Sequence, residues 1–161
     1  MINGTLGHQN YCRKGDVMND ESVADVHWNF WAISAIALIW NVLGGVNFFM
    51  QMDADVVAAM PETHRAIIIG RPIWATGGFA VIVLGGALGC LLMLLRKSAA
   101  TYVFVVSLIG GIVTMIHTIS IASSTIEFSF SEIVVMILMP LVVAVFLIWY
   151  SKQAESKGWI S

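Results

Sequence analysis

The stretch Ile133–Trp149 reads IVVMILMPLVVAVFLIW, an unbroken apolar run up to its terminal indole. Wound into a helix, it is apolar on every face, whereas a helix lying on a soluble core keeps a polar outer stripe. The medium around such a helix is lipid. Working outward, three further runs carry no Asp, Glu, Lys or Arg: Val26–Met52, Pro72–Leu95 and Ser98–Ile126, while the first extends over Ile133–Ser151. About 20 apolar residues cross the roughly 30 Å of bilayer hydrocarbon, and each run is long enough. The sequence therefore predicts an all-α polytopic membrane protein, a bundle of four transmembrane helices over residues 28–50, 73–95, 101–122 and 133–150. Composition agrees: the chain is 58% hydrophobic and 11% charged, against roughly half and a quarter in soluble domains. Its mean hydropathy is +0.85.

The segments between the spans set the domain organisation. Residues 1–25 are polar and mixed and read as a flexible cytoplasmic tail, within which Met18 makes an alternative translation start. Residues 26–151 form one transmembrane domain, and 152–161 a second cytoplasmic tail. Arg13, Lys14, Arg96, Lys97, Lys152 and Lys157 fall on one side of the membrane, and only Arg65 and Arg71 on the other. Short loops rich in Lys and Arg stay in the cytoplasm, which predicts a multi-pass protein with both termini inside. Residues 51–72 and 123–132 then face outward, with Asp53, Asp55, Glu62, Glu127 and Glu132. The first outer loop carries a short interfacial helical segment. Pro61 and Glu62 suit a helix start, and Gly70 with Pro72 suits a stop.

At 100° per residue, Ser34, Ala37, Asn41 and Gly45 share one stripe of the first helix. Ala75, Gly78, Ile82, Gly85, Gly86, Gly89 and Met93 share one of the second, and Ser107, Gly111, Thr114 and Thr118 one of the third, with His117 at its edge. Small residues let helix backbones approach in lipid, so Gly45, Gly78, Gly85, Gly89 and Gly111 are the expected packing positions. The fourth helix has no such stripe, and Pro140 is expected to kink it. Asn41, Thr114, His117 and Thr118 are the candidate lining of a ligand path, because polar side chains at membrane depth are costly and often functional. Asn41 sits about 20 Å from the Trp28 end at 1.5 Å per residue.

The remaining chemistry is sparse. Cys12 and Cys90 form neither a metal spacing nor a disulfide framework, and His8, His27, His64 and His117 are scattered. No acid–base or nucleophile pair falls at one membrane depth, so no enzyme activity, metal or cofactor is expected. A net charge of −2 points away from nucleic acid. The expected partners are the bilayer, a second copy in a homodimer, or another membrane protein.

Five segments taken in order, Leu38–Val46, Arg71–Thr76, Gly85–Lys97, Ser107–Gly110 and Ile148–Ile160, resemble a family of small bacterial four-span proteins, many of them labelled sugar transporters. The resemblance covers residues 30–160 and implies the bacterial inner membrane. Two functions follow as expectations: a non-enzymatic accessory or envelope protein, or a homodimeric transporter of a small solute such as a sugar.

Overall fold

The computed structural model describes residues 26–122 and 129–161. The expected tail at 1–25 and the acid Glu127 lie outside them. Among the described residues every regular element is helical.

Helix α1 (Trp28–Met50) runs 23 residues, about 34 Å at 1.5 Å per residue, and so crosses the hydrocarbon. Two short helices follow, α2 (Ala54–Ala58) and α3 (Glu62–Ile68). The Asp53 carboxylate caps α2 by accepting from the Asp55 and Val56 amides at 2.9 and 3.3 Å. Pro61 precedes α3, and Gly70, at φ 77°, turns the chain into α4 (Ile73–Leu94), which opens after Pro72. The punctuation read from the sequence thus marks the real ends of α3.

Arg96 adopts φ 58° beyond α4. The Arg96 and Lys97 amides reach back to the carbonyls of Met93 and Leu92, both at 2.9 Å. This double bond pattern closes a helix end and normally places glycine at the left-handed position.

Helix α5 covers Ala99–Ala122. The last span is one rod in three parts: α6 (Phe130–Ile133), a π-helical turn (Val134–Leu138) and α7 (Met139–Ser156). Ser129 and Glu132 form a reciprocal cap at its start. Pro140 has no N–H to donate, and the wider turn just before it takes up the broken register.

Helix α4 packs most extensively on α5 and, on its other side, on α1, while α7 packs on α5. The order across the bundle is α1–α4–α5–α7, and α1 meets α7 through side chains where Phe30 stacks on Tyr150. Among the described residues four helices are long and apolar enough to cross a membrane, and large apolar side chains such as Ile36, Leu43, Val106 and Val142 cover the outside. The chain is an integral membrane protein.

The predicted stripes face inward. Ser34, Ala37 and Gly45 on α1, Ala75, Gly78, Gly86 and Gly89 on α4, and Ser107, Gly111 and Thr118 on α5 are buried. The glycines differ in what they do. A methyl group at Gly78 would lie 2.8 Å from the Gly110 carbonyl oxygen, and one at Gly89 would lie 2.5 Å from the Phe104 ring. One at Gly85 would lie 3.2 Å from Ser107 Cβ, and one at Gly111 2.5 Å from Ile82 Cδ1. At Gly45 it would meet nothing within 4 Å, whereas Gly110, absent from the expected set, backs directly on Gly78.

Two other expectations change. The last span begins at Phe130 rather than near 133, and α7 continues to Ser156, so the supposed tail at 152–161 is half helix. Gly158 at φ 69° then reverses the chain. The backbone of Ser161 exchanges hydrogen bonds with Arg96 and Ser98 at 3.0 and 3.1 Å, and Arg96 Nε donates to the Trp159 carbonyl at 2.7 Å. Ile160 is thereby buried.

The packed core occupies this tail end of the bundle. Phe30, Cys90, Met93, Phe104, Leu147 and Tyr150 form one cluster, with Phe30 stacked on Tyr150 and edge-on to Trp159. The other half, toward α3, is not filled in the same way.

Candidate ligand-binding cavity

Small residues at mid-depth leave space between α1 and α7. Gly44, Gly86 and Ala144 stand where larger side chains would meet, and the result is a cavity of about 320 Å³. Trp40 and Asn41 line it from α1, Phe79 from α4, Phe104 and Ser107 from α5, and Val143 and Leu147 from α7. Trp40 is 46% exposed and stands at the edge of the bundle.

The polar groups here are few and mostly committed. Asn41 Nδ2 donates to the Ala37 carbonyl at 2.8 Å, within its own helix, and rests 3.7 Å from Cys90 Sγ across on α4. Its amide oxygen lies over Gly86, where any Cβ would collide with it. Ser107 Oγ donates to the Ile82 carbonyl at 2.7 Å. That leaves the Asn41 oxygen, Asn47 and the Trp40 indole N–H to meet a polar group on a ligand.

A second cavity of about 270 Å³ lies toward α3 and shares Asn47, Phe79 and Pro140 with the first. A pocket of about 80 Å³ between α5 and the last rod also shares Phe79 and Pro140. The three follow one another from the packed core toward the α3 end, with Phe79 and Pro140 bordering all of them. Thr114, His117 and Thr118 line the second cavity, so the four expected path residues divide: Asn41 is at mid-depth and the other three are near α3.

These three are held by backbone carbonyls. Thr114 Oγ1 donates to Gly110 at 3.0 Å, and Thr118 Oγ1 to Thr114 at 3.2 Å. His117 is 6% exposed, and its Nε2 sits 3.2 Å from the Ile67 carbonyl. A carbonyl only accepts, so Nε2 carries the proton. His117 thereby ties α3 to α5, with the Trp74 ring edge-on at 5.9 Å. A second tie runs from Thr63 Oγ1, which donates to Glu132 Oε1 at 2.6 Å and fastens α3 to the last rod.

The residue that sequence reasoning did not assign to the site is Arg71. It lines the second cavity with His64 and Gln51, donates from Nη2 to Gln51 Oε1, and stacks its guanidinium 5.3 Å above the Phe79 ring. Burial lowers its pKa, yet a guanidinium remains protonated at physiological pH. The hairpin of α1 and α4 supplies the signal that could have found it. Gln51 ends one span and Arg71 precedes the next, so they lie at one depth on adjacent helices.

Among the described residues no group of His, Cys, Asp and Glu could hold a metal ion. Comparison of the chain with protein families, curated proteins and solved structures finds no match.

Proposed function

We propose that this chain is a non-enzymatic membrane protein that holds one slender, mainly apolar molecule inside its bundle and receives it from the bilayer between α1 and α7. The observation that carries the reading is the uneven filling of the bundle. A closed aromatic core at the tail end gives way directly to a space of about 320 Å³. The space is apolar and open at the edge where Trp40 stands half exposed, so an apolar chain from the surrounding lipid can enter and fill it. The walls suit a hydrocarbon better than a sugar, because each unmatched sugar hydroxyl would cost about 1–3 kcal/mol. Asn41, Asn47 and the Trp40 indole N–H are too few to match them.

Phe30, Tyr150 and Trp159 plug the tail end, which favours holding or presenting a molecule over conducting it. Among the described residues the cavity walls carry no carboxylate, and His117 is occupied by the Ile67 carbonyl, which supports a role without catalysis. Arg96, Lys97, Lys152 and Lys157 lie at the tail end, and Arg65 and Arg71 at the other, so the positive-inside rule puts the tail end in the cytoplasm.

Native mass spectrometry of the full chain released from mild detergent tests the reading. One bound amphiphile per chain is expected, and it should be lost in Ala144→Trp and Val143→Trp, which fill the cavity from α7. A broad ladder of adducts identical in the wild type and in correctly folded variants refutes it.

A further inference from the structure

We propose that the occupant is a single-chain amphiphile with an anionic head, its head held by Arg71 and its chain running along α4 into the mid-depth cavity. This rests on the binding reading above and names the ligand class for the same site. Three observations support it.

First, among the described residues no counter-charge stands on the cavity walls at the mouth. Arg71 is the one Arg, Lys, Asp or Glu among those that line the three neighbouring cavities, and its polar partner is the neutral Gln51. Glu132 is not among the lining residues; its carboxylate accepts from Thr63 at 2.6 Å and from the Ser129 amide at 2.9 Å. A partly buried cation without a counter-charge is costly, and an anion arriving from outside relieves that cost. Of the five guanidinium N–H donors, Gln51 takes one, which leaves donors for a carboxylate or phosphate.

Second, the depth is right for a head group. Arg71 stands two residues before α4 begins, at the boundary of the apolar span, while Gly86 marks the mid-depth cavity. From Ile73 to Gly86 the α4 wall rises about 20 Å at 1.5 Å per residue. Phe79 lies between these levels, carries the guanidinium on its face and lines both cavities. Head site and chain site therefore share a wall.

Third, the volumes suit one chain. The two cavities, about 320 and 270 Å³, lie at and just below the lower end of the roughly 300–1,000 Å³ of drug-sized pockets. That favours a fatty-acid-like molecule over a two-chain phospholipid.

The test compares dodecanoate with dodecan-1-ol, which differ at the head alone, by titrating the full chain in non-ionic detergent and reading one-to-one complexes by native mass spectrometry. The wild type should prefer the acid by about tenfold, equivalent to about 1.4 kcal/mol. In Arg71→Gln the ratio should fall to near one, and Arg71→Lys should restore part of it. Equal affinity of the wild type for acid and alcohol overturns the head assignment and leaves the cavity reading standing. A preference that survives Arg71→Gln overturns it as well. Failure of both probes to form a one-to-one complex defeats the cavity reading itself. Binding of phosphatidylglycerol that depends on Arg71, with no binding of dodecanoate, overturns the single-chain assignment.

Discussion

Replacing Gly78 with alanine should loosen the α4–α5 interface, while the same change at its neighbour Gly77 should not. At Gly78 the new methyl would sit 2.8 Å from the Gly110 carbonyl oxygen, 2.8 Å from Thr114 Oγ1 and 3.1 Å from Val113 Cγ1, all on α5. At Gly77 it would meet nothing within 4 Å. Moving the carbonyl contact from 2.8 Å out to an ordinary 3.4 Å requires the helices to separate locally by about 0.6 Å. A radial gap of about 0.5–1 Å forfeits a quarter to a half of each dispersion contact it opens. Because the obstructing atom belongs to the backbone, no rotamer change relieves it. Overpacking of this kind costs about 1–3 kcal/mol. Both substitutions exchange glycine for alanine within the same helix, so the gain in helix propensity, about 1 kcal/mol, cancels in the comparison. Unfolding in mixed micelles by titration with sodium dodecyl sulfate, followed by circular dichroism, should place Gly78→Ala about 1–3 kcal/mol below Gly77→Ala. Equal stability of the two variants would refute the contact at Gly78 and the close α4–α5 approach built on it.

Other perturbations separate the remaining parts. Gly86→Ala should displace the Asn41 amide and lose its bond to the Ala37 carbonyl; a double-mutant cycle with Asn41→Ala should show a coupling of at least about 0.5 kcal/mol, and strict additivity would contradict the contact. Thr63→Val removes the donor to Glu132, so amide exchange across Glu62–Ile68 should speed up while α4 and α5 stay protected; unchanged exchange in α3 would count against the tie. His117→Phe should release the same helix by losing the Ile67 carbonyl bond, again read as faster exchange in α3. Arg96→Ala removes the donor to the Trp159 carbonyl and should make residues 159–161 more open to carboxypeptidase, with little change in the unfolding of the bundle.

Much of the architecture is legible residue by residue. Hydropathy is local and nearly additive, so uncharged runs of sufficient length mark α1, α4, α5 and the last rod without knowledge of their neighbours. Helical periodicity likewise identifies which side of α1, α4 and α5 turns inward, since small and hydroxyl residues at a shared angle can belong to one contact surface. Pro61 and Gly70 delimit α3 for equally local reasons, one suited to a helix start and the other to a positive φ. Gly45 and Gly110 mark the limit of that reasoning. Both lie in glycine pairs on helices, but one has open space beside it and the other a backbone carbonyl. The difference lies in the helix opposite.

The sequence by itself determined four crossings, the inward stripes of three helices and the short helix of the first loop, because each depends on residues close in the chain. Only the tertiary structure decided that α4 lies between α1 and α5, that residues 158–161 fold back on the α4–α5 turn, and that the cavities of Arg71 and Asn41 both border on Phe79. A cavity is the volume that several helices fail to fill together. It is written in no single helix, and its size depends on which neighbours meet and at what distance.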